Sequence, residues 1–159
     1  MPGSAVLVAT ARLMTTDDLP RVLAAEQLCF PQENWSEQTF RDELRYGPDA
    51  RSYIVAERSG IQVGYAGMKY GPHEARIVKL AVAPEHRHRG VGRLLLFILL
   101  RDASARGHTE VHLEVRSDNR QALRLYESAH FERVAVRRGY YDRGKVDAIA
   151  MRRQLPFLD

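Results

Sequence analysis

Cysteine occurs once in this chain, at Cys29. An internal disulfide and a cysteine-rich zinc site are thereby excluded, and the count fits a reducing compartment. Flanked by Leu28 and Phe30, the thiol reads as a small core residue. Long hydrophobic runs are also missing. The longest, Leu94 to Leu100, is far shorter than the roughly 20 residues that a membrane-spanning helix needs. The mildly apolar stretch Ala5–Ala11 has no basic segment before it and no cleavage signal after it, so it reads as a strand and not as a signal peptide. Internal repeats, low-complexity tracts and linkers are absent as well. The expectation is a cytoplasmic protein with no membrane partner.

The chain has 159 residues, which suits one domain spanning 1–159 with a substantial core. Hydrophobic residues at 45% and charged residues at 28% are ordinary for a folded globular protein and argue against disorder. The formal net charge of +4 fits a mildly basic soluble protein and equally a field that attracts a polyanionic ligand. Nucleic acid and a phosphate-rich cofactor both qualify, and charge alone does not separate them.

Periodicity divides the chain into strands and helices. Val6, Val8 and the residues to Leu13 form a first strand. A helix begins at Asp17-Asp18, with Asp17 as its cap, carries Leu19, Val22, Leu23 and Leu28 at helical spacing, and ends at Pro31. Ser36 caps a second helix, Glu37 to Tyr46, which Gly47-Pro48 stops. Three strands follow: Tyr53 to Ala56, then Val63 to Tyr70 after the turn Ser59-Gly60, then Arg76 to Val82. Helix Val91 to Ala105 sets Val91, Leu94, Leu95, Ile98 and Leu99 on one stripe, and Gly107 ends it. Strand Val111 to Val115 precedes a helix, Asn119 to Ala129, with Ala122, Leu125, Tyr126 and Ala129 on one side. Strands Phe131 to Val136 and Asp147 to Arg152, joined by a tyrosine-rich loop, close the chain. The order βααβββαβαββ predicts an α/β fold with a mixed sheet and helices on both faces.

The segment Arg87-His88-Arg89-Gly90-Val91-Gly92 lies between a strand and a helix. Free N–H groups and the helix dipole make a helix N-terminus attractive to anions, and glycine lets a phosphate approach the backbone. His86, Arg87, His88, Arg89 and Arg93 add positive charge around the turn. The pattern is neither a P-loop nor a three-glycine dinucleotide fingerprint, which argues against a kinase or a nicotinamide enzyme.

The same turn resembles the R/Q-x-x-G-x-G/A motif of the GCN5-related N-acetyltransferases. Leu113-Glu114-Val115-Arg116-Ser117-Asp118-Asn119, continuing to Ala122, Leu125-Tyr126 and Phe131, resembles the narrower RimI-type group. Arg137, Tyr140-Tyr141, Asp147-Ala148 and Met151 fit the end of that pattern, and Phe30-Pro31 and Trp35-Ser36 through Phe40 fit its beginning. The likeness covers roughly residues 10 to 154. It implies the fold of that superfamily: a central, largely antiparallel mixed sheet of about seven strands flanked by about four helices. It further implies acetyl transfer from acetyl-CoA, without a metal, to the α-amino group of a protein or peptide N-terminus, ribosomal proteins included. Two departures stand out. Ala129-His130 replaces the usual glycine before Phe131, and Gln32-Glu33-Asn34 lies like an insertion between Pro31 and Trp35.

Roles follow from the resemblance residue by residue. Glu114 is the base that frees the amine, and Tyr126 is the acid that protonates the departing sulfur. The backbone of Leu80, Ala81 and Val82 pairs with the pantetheine and polarises the thioester carbonyl. Arg87, His88, Arg89, Gly90, Val91, Gly92 and Arg93 hold the diphosphate, and Asn119 adds a side-chain hydrogen bond to the cofactor or simply caps its helix. Trp35, Tyr140 and Tyr141 line the acceptor site. His112 is a rival base, since its titration range suits the task. A small-molecule amine or a lysine side chain is the alternative acceptor. A basic nucleic-acid-binding module is the reading from a different class, using Arg133, Arg137, Arg138, Arg143, Lys145, Arg152 and Arg153. Glu132, Asp142 and Asp147 interrupt that set, and no nucleic-acid motif accompanies it.

Overall fold

The computed structural model describes residues 9–156. Its elements are β1 (Thr10–Leu13), α1 (Leu19–Cys29), α2 (Glu37–Arg45), β2 (Arg51–Arg58), β3 (Ile61–Tyr70), β4 (Glu74–Val82), α3 (Val91–Ala105), β5 (Glu110–Arg116), α4 (Arg120–Ser128), β6 (Glu132–Tyr141) and β7 (Val146–Gln154), with short 3-10 turns between some of them. This is the βααβββαβαββ order expected from the sequence. The seven strands form one mixed sheet in the order β1-β2-β3-β4-β5-β7-β6. β1 pairs antiparallel with β2, and β7 pairs antiparallel with both β5 and β6. β4 and β5 are parallel, with Glu74–Arg76 set against Glu110–His112. Among the described residues no helix is long and apolar enough to cross a membrane. Val6 and Val8 of the expected first strand lie outside the described residues.

The chain divides into two compact units. One takes the chain to Gly67 together with Lys79–Phe97, and the other takes Met68–Val78 and the chain from Ile98 on. In the first unit, Asp18 and not Asp17 organises the start of α1. Its carboxylate accepts from the Thr15 N–H at 2.8 Å and from the Arg12 guanidinium, which holds it below the usual carboxylate range. The buried stripe of α1 is Leu19, Val22 and Glu26, while Leu28 is 67% exposed. An acid therefore occupies the position where the apolar spacing called for a hydrophobic residue. The Ser36 side chain caps α2 by accepting from Thr39 N at 3.1 Å. Ser59 and Gly60 both adopt positive φ, the conformation of a two-residue hairpin turn joining β2 to β3. A Cβ at Gly64 would lie 2.7 Å from the Ala81 carbonyl oxygen, so only glycine lets β3 approach β4 so closely there.

Helix α3 buries Val91, Leu95, Leu96, Leu99, Leu100 and Ala103, while Leu94 and Ile98 are half-buried. The expected stripe is thus rotated by part of a turn. In a run apolar all round, periodicity does not say which flank faces inward.

In the second unit, α4 buries Leu123 and Tyr126, with Ala122, Leu125 and Ala129 at its margin. The helix ends in a Schellman motif. Phe131 N donates to Tyr126 O and His130 N donates to Glu127 O, both at 3.0 Å. The Tyr126 and Phe131 rings meet 5.7 Å apart, the apolar contact that accompanies the motif. His130 sits at φ 68, the left-handed position where the resemblance calls for glycine. A Cβ disfavours that conformation, and the His130 side chain is exposed. Replacing His130 with glycine is expected to stabilise the protein by about 1 kcal/mol. The melting temperature should then rise by about 2–4 °C. A fall in stability would mean that the side chain makes compensating contacts.

β6 runs on to Tyr141, well past the expected end at Val136. The tyrosines expected in a loop are therefore on a strand, and the connection to β7 is the short turn Asp142–Gly144. Register shifts between Arg133 and Ala135 and between Arg137 and Tyr141 explain the misreading. Bulges break the alternation on which strand recognition depends.

Candidate active site

Of the residues expected to hold the cofactor, 80–82 and 87–93 lie in the first unit and Asn119 in the second. Gly90 O accepts from Leu94 N at 3.0 Å, which makes Gly90 the residue that opens α3. The N–H groups of the first helical turn, Val91 to Arg93, then have no carbonyl four residues back within the helix. Gly90 has φ 82 and His88 φ 62, so the chain reverses sharply before the helix. Buried Val91 fixes the turn from below, while His88, Arg89 and Arg93 are exposed around it. Arg87 points inward. Its Nε donates to Val82 O at 3.1 Å, and its Nη2 donates to Cys29 Sγ at 3.4 Å. The Cys29 thiol in turn donates to Val82 O at 3.5 Å. The Arg87 side chain thus braces the turn against the end of β4. Cys29 is half-buried and not the small core residue expected, and burial pushes its thiol upward in pKa.

Leu80, Ala81 and Val82 form the end of β4, where Ala81 is buried and its neighbours are half-buried. Ala83 N donates to Val63 O at 2.9 Å and continues the line beyond the strand. Beside it lies a buried polar cluster. Glu26 is 0% exposed and Lys79 7%. Lys79 Nζ reaches Glu26 Oε2 at 2.5 Å, Tyr65 donates to Glu26 Oε1 at 2.5 Å, and Trp35 N donates to Glu26 Oε2 at 2.8 Å. The ammonium also lies 4.0 Å from the Phe30 ring centroid and 4.8 Å from that of Trp35. The Trp35 ring packs on Phe40 and Tyr53. Glu26 therefore ties the segment between α1 and α2 to the strands beneath it.

The residues expected to carry proton transfer lie in the second unit. On β5, Val111, Leu113 and Val115 point inward, while His112, Glu114 and Arg116 share the opposite face. Arg76 Nη1 lies 3.6 Å from Glu114 Oε1, and Arg137 Nε contacts Glu114 Oε2. Arg137 extends from β6 across β7, where Ala148 and Ala150 have no side chain tall enough to block it. Glu114 Oε2, the oxygen that Arg137 contacts, is shielded from solvent. His112 Nε2 is held between Glu74 Oε2 at 3.1 Å and Glu110 Oε1 at 3.0 Å. Tyr126 is buried, which pushes its phenol well above the ordinary range and keeps it protonated at neutral pH. Asn119 Oδ1 accepts from Ala122 N at 3.1 Å and caps α4. The Tyr140 and Tyr141 rings meet edge to face, 5.0 Å apart, and Tyr140 is 55% exposed.

A strand leading to an anion-receptive helix start, a solvent-shielded carboxylate on β5 and a buried phenol on α4 are each features that acyl transfer can use. The Acetyltransferase (GNAT) family matches residues 19–131. The chain belongs to this family. It is 39% identical to the N-alpha-acetyltransferase RimI of Mycobacterium tuberculosis over 91% of each chain. It resembles the crystal structure of the ribosomal-protein-S18-alanine N-acetyltransferase from Escherichia coli with a TM-score of 0.83 and 31% identity, covering 95% of this chain and 96% of that one. It also spans 39% of the length of an uncharacterized protein of Mycobacterium leprae, at 38% identity. The GNAT fold and acetyltransferase chemistry follow from the family.

Sequence reasoning passed over four residues that the structure makes prominent. Glu26 could have been found as an acid four residues after Val22 and seven after Leu19, on the buried stripe. Lys79 occupies an inward position of β4 between Ile77 and Ala81. Arg76 and Asp142 gave no such signal, because their partners are distant in sequence. Glu74, Glu110 and His112 form a group that could in principle hold a metal ion, but the imidazole is already engaged by both carboxylates.

Proposed function

We propose that this GNAT enzyme transfers an acetyl group from acetyl-CoA to the α-amino group of a protein N-terminus. The observation that carries the reading is Glu114, a carboxylate on β5 with one oxygen shielded from solvent, held between Arg76 and Arg137. The relatives from M. tuberculosis and E. coli are an N-alpha-acetyltransferase and a ribosomal-protein-S18-alanine N-acetyltransferase. They support an N-terminal acceptor, with alanine as the first residue to try.

The turn fits the cofactor. The backbone N–H groups at Gly90–Arg93 would receive the diphosphate, with His88, Arg89 and Arg93 around it. Leu80, Ala81 and Val82 would receive the pantetheine along their main chain, and Asn119 still has its amide nitrogen to offer a hydrogen bond. Acetyl-CoA supplies an acetyl group activated as a thioester. A main-chain N–H of the Leu80–Val82 segment polarises the carbonyl, an interaction worth about 3 kcal/mol. An α-amino group titrates near 7.7–8.0 and is mostly protonated at neutral pH. Glu114 removes that proton, directly or through water, and the neutral amine attacks the carbonyl carbon. Collapse of the tetrahedral adduct breaks the C–S bond, and Tyr126, kept protonated by burial, gives the sulfur its proton. The proton still on the nitrogen passes through water to restore the phenol. Trp35, Tyr140 and Tyr141 line the acceptor. The single cysteine fits work in the reducing cytoplasm.

The test is a panel of peptides with different first residues, incubated with acetyl-CoA and read by thiol release. Turnover should depend on a free N-terminus and on the identity of the first residue. Equal turnover with N-terminally blocked peptides would contradict the proposal and favour a lysine or small-amine acceptor.

A further inference from the structure

Arg116 lies two residues beyond Glu114, on the same face of β5. Its guanidinium grips two carboxylates from different parts of the second unit. Nη1 and Nη2 donate to Asp142 Oδ1 and Oδ2 at 3.1 and 2.9 Å. Nε and Nη2 donate to Asp118 Oδ1 and Oδ2 at 3.0 Å each. Both are two-pronged contacts, the geometry in which arginine fixes direction as well as distance. The guanidinium also lies 5.4 Å from the Tyr141 ring centroid.

Asp142 opens the turn between β6 and β7. Asp142 and Arg143 have φ 51 and 54, and Gly144 has φ 90. Two consecutive residues bearing a Cβ are thus left-handed, a conformation that persists only where the surroundings impose it. Arg116 imposes it from one side. On the other, Gly139 N donates to Asp147 Oδ1 at 2.9 Å across the base of the turn. Asp118, at the far end of the grip, immediately precedes the Asn119 cap of α4, the helix that carries Tyr126.

We propose that Arg116 is a positioning residue for acceptor binding: held on Asp118 and Asp142, it fixes the turn after Tyr140 and Tyr141 against the strand of Glu114. The proposal rests on the reading that these tyrosines line the acceptor site. It makes acceptor affinity, and not cofactor affinity, the quantity that the Arg116–Asp142 contact controls. A loosened turn lets the two tyrosines wander, while the backbone expected to hold acetyl-CoA belongs to β4 and the start of α3.

The experiment compares Asp142→Asn, Arg116→Lys and the double variant with the full wild-type chain, using a short peptide that begins with alanine. KM for peptide is measured at saturating acetyl-CoA, and KM for acetyl-CoA at saturating peptide. Each single variant should raise the peptide KM roughly tenfold, as expected for losing a hydrogen-bonded charge pair. KM for acetyl-CoA should stay within about twofold, and the double variant should be no worse than the poorer single one. An unchanged peptide KM, or a parallel rise in both KM values, would overturn the proposal. If one variant fails to fold, the other gives the reading. Wild-type protein that does not acetylate the peptide would bring down the proposed function and this inference together. Wild-type turnover with an unmoved KM in the variants would bring down the inference alone.

Discussion

Replacing Glu114 with glutamine is expected to slow turnover by about 10²–10⁴-fold at neutral pH, the usual contribution of a positioned general base. Glutamine keeps the size of the side chain and its place between Arg76 and Arg137. It lacks the capacity to take a proton from an ammonium group. KM for acetyl-CoA should stay nearly constant, because Glu114 is not among the groups expected to bind the cofactor. The defect should also narrow as pH rises. Above the α-amine range of about 7.7–8.0, the acceptor loses its proton to solvent and needs less help from the enzyme. Steady-state rates of wild type and variant across this range check the prediction. Equal rates at neutral pH would remove Glu114 from the role of base. A defect independent of pH would point to a loss of positioning instead.

Lys79→Met is expected to cost about 3 kcal/mol of stability. The substitution preserves a long apolar stem against the Phe30 and Trp35 rings but leaves the Glu26 carboxylate, fully buried, with only the Tyr65 hydroxyl and the Trp35 N–H as partners. Removing one member of a buried pair strands the other charge in a medium that solvates it poorly. For a protein of this size the melting temperature should fall by about 2–4 °C per kcal/mol. Adding Glu26→Gln should restore much of the loss, since a neutral amide needs no counter-ion: its oxygen can accept from the Trp35 N–H while its nitrogen donates to the Tyr65 hydroxyl. Thermal unfolding of the single and double variants reads both effects. A Lys79→Met protein as stable as wild type would show that the ammonium contributes nothing to holding Glu26. Failure of the second substitution to recover stability would show that packing, and not charge, dominates the site.

The parts of the fold legible in the sequence are those set by local chemistry. The Ser36 cap, the Ser59-Gly60 turn, the Gly90 start of α3 and the apolar alternation of β5 each depend on neighbouring residues. The element order follows from them. The parts that were hidden depend on partners remote in sequence. The apolar run of α3 marked a helix but not which side would be buried. The bulges in β6 concealed a strand that reaches Tyr141. At the site, Glu114 and Tyr126 stood out only through the motif resemblance, because alternation shows merely that a carboxylate lies on one face of β5. That Glu114 would meet Arg76 and Arg137, while Arg116 turned to Asp118 and Asp142, depends on the register of β5, β7 and β6. No local pattern encodes that register. Arg87 shows the same limit: its place in the turn was readable, but its inward grip on Val82 and Cys29 was not.

The most direct measurement is the position of the acetyl group on a peptide that carries both a free α-amine and an internal lysine, incubated with acetyl-CoA and this protein and then fragmented in a mass spectrometer. Acetyl on the α-nitrogen, with one free CoA thiol released per modified peptide, is the expected result. Acetyl found on the lysine alone, or CoA released with no acetylated peptide, would contradict the account.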